Sequence, residues 1–186
     1  VRAFLENRLY ADPQPTKLYY MGPMFRYDKP QAGRYRQFNQ FGIEVFGADH
    51  ATIDAEVITL AVEIFKRLGL TGLSVKINTV GCADCRPKHM EDLKTYFRQH
   101  EDNLCETCRD RLERNPLRIL DCKEDGCKAV AKGAPTTIEA ACDNCSTHFN
   151  QLLGYLDAVG ISYEIDTNLV RGLDYYVRTA FEVVIN

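Results

Sequence analysis

Eight cysteines fall into four close pairs: Cys82/Cys85, Cys105/Cys108, Cys122/Cys127 and Cys142/Cys145. Three pairs are C-x-x-C, and in the other four residues intervene. No charged stretch followed by an apolar run opens the chain, so no secretory signal is visible and metal ligation is favoured over a disulfide framework. Four thiolates complete one tetrahedral zinc, so eight give two sites. Cys105-x2-Cys-x13-Cys-x4-Cys127 has zinc-ribbon-like spacing. The outer pairs would then bracket the insert where it leaves and rejoins a scaffold. The bland alternative is unligated cysteines on helix surfaces. His50, His89, His100 and His148 are scattered and read as surface residues rather than ligands.

Around this block the pattern is that of a globular chain. The apolar fraction is 45% over 186 residues, enough to bury a core. Net charge is −3, so no global basic field recruits nucleic acid. The longest apolar run, Val57–Phe65, is too short and too polar to span a bilayer. Residues 1–10 read as a helix broken by Asp12-Pro13-Gln14-Pro15, and because the chain starts at Val1 in mid-helix it reads as an interior piece. Residues 17–28 and 36–47 form an expected antiparallel hairpin around a turn at 29–35. Residues 52–68 read as a helix with Ile53, Val57, Leu60, Ala61, Ile64 and Leu68 in a stripe. Strands are expected at 73–78, 162–166 and 174–185, and helices near 87–99, 105–114 and 136–158. The fold class is α+β (mixed α/β). Strands 17–28, 36–47, 73–79 and 174–185 are expected in one antiparallel sheet packed by the 52–68 helix. A mainly helical, cysteine-rich insert covers 82–159, between core segments 1–81 and 160–186.

Two segments can carry chemistry. In the hairpin, Arg26, Lys29, Arg34 and Arg36 lie within eleven residues and can hold a polyphosphate. Phe38, Gln40, Glu44 and Phe46 share one strand face, with Gln40 and Glu44 about 13 Å apart at ~3.3 Å per residue. Polar groups on such a face call for a partner, and a polar substrate is one. An amphipathic hairpin with a wet face remains the competing reading. In the second segment, Arg171-Gly172-Leu173-Asp174-Tyr175-Tyr176, the arginine suits a phosphoryl group and the Tyr176 hydroxyl a ligand hydrogen bond.

Together the two segments resemble the class II aminoacyl-tRNA synthetases, and within them the histidine–tRNA ligases. GPMFRYDKPQAGRYRQFNQFGIEVFG is similar to that family's form of the class's second signature, and LVRGLDYYVRTAFEV to its histidine-specific peptide. NPLRILDCK, at 115–123, resembles the family's insertion domain. The resemblance implies the following roles. Arg26 binds the ATP α-phosphate and the histidine carboxylate. Phe38 stacks on adenine, and Gln40 holds the histidine amino group. Glu44 and Tyr176 hydrogen-bond the imidazole, with Tyr175 beside them. Arg171 faces the α-phosphate, as a metal ion does in relatives, and Arg34 touches the outer phosphates or the tRNA end. Asp28 stands where the family commonly has a glutamate contacting adenine. It also implies ATP with Mg²⁺, histidine and the tRNA(His) acceptor stem as substrates, a homodimeric parent and a cytoplasmic location. The first class signature should precede Val1 and the third should follow Asn186, leaving the piece itself inactive. A regulatory subunit of histidine biosynthesis, and a zinc-stabilised RNA-binding module, are the rival readings. The presence of Arg26, Gln40, Glu44, Arg171 and Tyr176 favours the enzyme over the first.

Overall fold

The computed structural model describes residues 1–27, 31–170 and 175–185. The chain divides into two compact units, Val1–Ile53 and Asp54–Asn186.

In the first unit, α1 spans only Arg2–Glu6, followed by a 3₁₀ turn at Leu9–Ala11. The expected ten-residue helix stops early because Arg8 adopts a left-handed conformation, φ 55°. Phe4 is buried and stacks on Phe46 with ring centroids 4.3 Å apart. Strands β1 (Thr16–Phe25) and β2 (Gln37–Phe46) pair antiparallel over their whole length, from Thr16↔Phe46 to Phe25↔Gln37. The ladder continues through the Arg26 amide, which donates to the Arg36 carbonyl at 2.8 Å. At the tip, Gln31 and Arg34 bond each other's backbone around Gly33, whose φ of +75° suits the third position of a type II turn.

The second unit holds a three-stranded sheet in the order β4-β3-β5, with β3 at Leu73–Thr79, β4 at Tyr163–Ile165 and β5 at Thr179–Ile185. β3 and β5 are antiparallel, as expected, but β4 joins β3 in parallel. The chain between them contains a series of helices, and a crossover of that kind returns a strand parallel to the one it left. Among the described residues the strands thus form two ladders rather than one four-stranded sheet. β5 starts at Thr179, later than the composition of 174–185 indicates, because Arg178 is left-handed with φ 59°.

Helix α2 spans Ala51–Arg67, close to expectation, and Gly69 at φ +85° follows it. Its most buried line is Ala51, Ala55, Ile58 and Val62, whereas Leu60 and Leu68 are exposed. The apolar surface is wider than the single stripe read from the sequence. The two alanines leave room for close approach, so the small-residue side turns inward.

The cysteine-rich stretch forms α3 (Arg86–Arg98), α4 (Glu106–Arg114), α5 (Leu117–Leu120), α6 (Asp125–Ala131) and α7 (Asp143–Ala158). The helix expected at 136–158 begins only at Asp143, with Cys142 as N-cap in extended conformation. Leu93, Phe97, Leu104, Cys108, Leu112, Ile119, Leu120, Cys127, Ala131 and Val170 make a buried cluster. No described helix is long and apolar enough to cross a membrane.

Candidate functional site

Residues opposite each other across an antiparallel pair share a face. The hairpin register therefore sets Leu18, Tyr20, Gly22 and Met24 beside Glu44, Gly42, Gln40 and Phe38. Tyr20 lies across Gly42, where a Cβ would meet its ring at 2.4 Å, so only glycine leaves the ring its place. The Gln40 amide donates from Nε2 to the Tyr20 hydroxyl at 3.2 Å. The Arg26 guanidinium lies 4.2 Å from the Phe38 ring centroid, and its Nε–H donates to the Tyr35 carbonyl at 2.9 Å. One bond and one ring thus hold the guanidinium's orientation. Phe4, Leu18, Tyr20, Glu44 and Phe46 line a cleft of about 210 Å³, with the Glu44 carboxylate 3.7 Å from the α-ammonium of Val1. The structure brings Arg26, Phe38, Gln40 and Glu44 onto one hairpin surface. Tyr20 escaped the sequence reading, although the glycine opposite it in the expected hairpin marks a place where a large ring can cross.

Asp28 and Arg171 lie outside the described residues. Tyr175 and Tyr176 are described: their rings are 4.8 Å apart, and both are exposed. The stretch leading toward Arg171 is anchored by Asn78, which is fully buried in β3. Its Nδ2 donates to the carbonyls of Thr167, at 3.2 Å, and Leu169, at 3.0 Å. Its Oδ1 accepts from the Thr79 amide at 2.9 Å. Every polar atom of that buried amide is engaged in holding a loop against the strand.

The eight cysteines form two groups, Cys82/Cys85/Cys142/Cys145 and Cys105/Cys108/Cys122/Cys127, each with its four sulfurs within 4.8 Å of one another. All eight are free thiols. Cys82 Sγ lies 3.7 Å from Cys142 Sγ and 3.8 Å from Cys85 Sγ, and Cys85 Sγ lies 4.0 Å from Cys145 Sγ. Four thiolates at ~2.3 Å from a tetrahedral Zn²⁺ have edges of about 3.8 Å, so this donor set fits such an ion. Backbone N–H groups point at the sulfurs: Cys82 N to Cys85 Sγ and Cys105 N to Cys127 Sγ, each at 3.2 Å. The pairs cluster at the starts of α3, α4, α6 and α7, where helix N-termini favour thiolate. Backbone amides of Cys85 and Asp84 hold the Cys82 thiol down at about 7, and the Cys108 amide lowers Cys105. Burial pushes the Cys108, Cys127 and Cys145 thiols up. Those buried sulfurs need a cation beside them to ionise together.

Two histidines read from the sequence as surface residues are buried. His89 bonds the Pro135 carbonyl through Nε2 at 2.9 Å and faces the Thr137 hydroxyl at Nδ1, 3.4 Å away. His148 Nε2 meets an Asp54 carboxylate oxygen at 2.9 Å. Isolated histidines carry no periodic signal, and each belongs here to the inner side of a helix whose other inner residues are apolar. Burial lowers the His89 pKa. The folded state therefore prefers the neutral ring, and its stabilisation is present above pH 6.5 and lost as pH falls below it. An NMR titration is expected to show His89 still neutral when pH drops under 6.5.

The family model described as Histidyl-tRNA synthetase matches residues 2–186. The chain belongs to the histidyl-tRNA synthetase family. It is 59% identical over 184 residues to a histidine–tRNA ligase of Desulforamulus reducens, covering 99% of the chain and 44% of that protein. With the histidine–tRNA ligase of Halothermothrix orenii it shares 55% identity, covering 98% and 44%. The structure of apo S. aureus histidyl-tRNA synthetase matches with a TM-score of 0.74 at 39% identity, over 98% of this chain and 42% of that one. The chain thus spans less than half the length of these histidyl-tRNA synthetase relatives. The mixed α/β architecture expected from the sequence is that of the class II fold of the family.

Proposed function

We propose that this chain is part of a histidine–tRNA ligase. The parent activates histidine with ATP and Mg²⁺ to histidyl-adenylate and transfers it to the tRNA(His) acceptor end, as a cytoplasmic homodimer. The reading rests on one observation: Phe38, Gln40 and Glu44 share a hairpin face on which Arg26 is already oriented over Phe38. Residues 1–81 and 160–186 are assigned to the catalytic core and 82–159 to an insertion domain.

Activation is in-line attack of the histidine carboxylate on the α-phosphorus, with pyrophosphate leaving. Negative charge grows on the α-phosphate oxygens. Arg26, and Arg171 by the family resemblance, supply fixed guanidiniums for that charge. Adenine stacks on the Phe38 face left uncovered by Arg26, with Asp28 at its edge and Arg34 toward the outer phosphates. Gln40 takes the α-amino group through its amide oxygen, since its nitrogen is spent on Tyr20. Glu44 accepts from an imidazole N–H, and Tyr175 and Tyr176 complete the histidine contacts. A side chain lacking that N–H would leave a carboxylate without a partner.

The test is Glu44→Gln in the full-length parent, which keeps size and removes charge. Histidine use is expected to weaken by roughly 1.5–3 kcal/mol, the range for a hydrogen bond to a charged group. The ATP requirement should stay put, as read by pyrophosphate exchange with each substrate varied separately. A raised ATP requirement with unchanged histidine dependence sinks the assignment. The regulatory-subunit reading predicts no exchange activity at all.

Zinc is assigned a structural role in both quartets, held by Cys82, Cys85, Cys142 and Cys145 and by Cys105, Cys108, Cys122 and Cys127. Protein prepared under reducing conditions is expected to carry about two equivalents of zinc, one per set of four thiolates. Elemental analysis showing none, with all thiols freely titratable, rejects this.

A further inference from the structure

Three hold points fix the segment from Tyr175 to Thr179: two come from residues flanking Cys82 and Cys85, and the third, Asp54 on α2, is tied through His148 to the helix that starts at Cys142. Arg86, directly after Cys85, donates from Nη2 to the Tyr176 carbonyl and from Nε to the Val80 carbonyl, the latter at 3.2 Å. The Arg178 amide donates to the Gly81 carbonyl at 2.7 Å, and the Val80 amide to the Arg178 carbonyl at 2.6 Å. These two bonds hold Arg178 in its left-handed conformation, which a non-glycine residue keeps only when its surroundings determine it. Gly81 in turn lies against the quartet: a Cβ on it would sit 2.9 Å from Cys85 Sγ. On the other side, the Thr179 hydroxyl donates to Asp54, whose carboxylate also takes His148 on α7, the helix that Cys142 caps and Cys145 enters.

We propose that metal bound by Cys82, Cys85, Cys142 and Cys145 positions the Tyr175–Thr179 segment, so that this quartet tunes histidine binding through Arg86 and Gly81. The Cys105 quartet takes part in none of these hydrogen bonds; its buried members Cys108 and Cys127 pack in the cluster that holds Val170 and leave the Tyr175–Thr179 segment to the other quartet. Four sulfurs gathered around an ion fix the start of α3 relative to that of α7. Without the ion, only weak thiol contacts, Cys82 Sγ–Cys142 Sγ at 3.7 Å and Cys85 Sγ–Cys145 Sγ at 4.0 Å, join the two cysteine pairs, and Arg86 and Asp54 are no longer firmly referred to one frame. Arg86 is a positioning residue: it meets the backbone of Tyr176 and leaves the ring to the ligand. The proposal rests on the zinc assignment and on the reading of Tyr175 and Tyr176 as histidine contacts.

The first experiment is amide hydrogen exchange on this chain, with zinc and after chelation. Removal of zinc should speed exchange of the Val80 and Arg178 amides roughly tenfold or more, as local opening becomes easier. Cys142→Ser should do the same and retain one zinc equivalent. Cys122→Ser should also retain one equivalent and leave those two amides protected. Arg86→Met keeps both quartets, and it should loosen the segment with two equivalents bound. In the full-length parent, Cys142→Ser and Arg86→Met should raise the KM for histidine roughly tenfold while the KM for ATP holds. If Val80 and Arg178 stay protected in zinc-free protein, or if Cys122→Ser loosens them as much as Cys142→Ser, the proposal is overturned. If zinc never binds the Cys82 quartet, the zinc assignment fails and takes the proposal with it. If exchange responds as expected but Tyr176→Phe leaves the histidine KM unchanged, the fault lies in the tyrosine's assigned role, and the tuning of histidine binding falls with it.

Discussion

Arg26→Ala in the full-length parent is expected to slow histidyl-adenylate formation about 10²–10³-fold, the loss that follows removal of one preorganised donor at a developing charge. The size of the effect comes from preorganisation. The guanidinium already rests on Phe38 and is tied to the Tyr35 carbonyl, so little reorganisation is left for the reaction itself. Arg26→Lys should recover little, since an ammonium cannot bond the Tyr35 carbonyl and two phosphate oxygens in one plane. Single-turnover measurement of adenylate formation separates the outcomes. A fall in rate at saturating substrates supports the transition-state role. A rise in the histidine KM with an unchanged rate would reduce Arg26 to a substrate clamp.

The second large effect is expected from metal removal. Helices α4, α5 and α6 have nine, four and seven residues. Isolated helices below about 12–15 residues are marginal in water, so these three depend on tertiary support. Their shared core is small, and two of its buried members, Cys108 and Cys127, are themselves in the quartet. Structural zinc contributes roughly 10–16 kcal/mol of apparent binding free energy in comparable small folds. Chelation should therefore melt this region, seen as lost far-UV helical signal and protease cleavage between residues 101 and 133, while the β1–β2 hairpin persists. Intact helices in protein shown to be metal-free would reject the assignment.

What could be read from the sequence was whatever has a period or a fixed spacing. The β1–β2 hairpin was legible because two strand-like stretches flank a turn segment, and the two-residue period of a strand carries Phe38, Gln40 and Glu44 onto one face. The nested cysteine quartets were legible because C-x-x-C spacing constrains two ligands at once. Contacts between residues far apart in the chain were not. Nothing local in Arg86 announces a bond to Tyr176, ninety residues on, and nothing in Asp54 points to His148 and Thr179. β4 pairs in parallel because of the crossover that precedes it, which three strand residues do not encode. Helices α5 and α6 are too short to show a repeat.

The nesting of the quartets also orders events during synthesis. Cys127 emerges from the ribosome well before Cys142 and Cys145, about one to four seconds earlier at 5–20 residues per second. The inner four sulfurs are therefore complete while the outer set still lacks half its members. Closing the inner loop first shortens the flexible chain that the outer set must close, which lowers the entropy opposing it. The insert is thus arranged to close from its tip to its base as it leaves the tunnel, and the segment that carries Tyr175 and Tyr176 arrives after both sets, onto a finished seat.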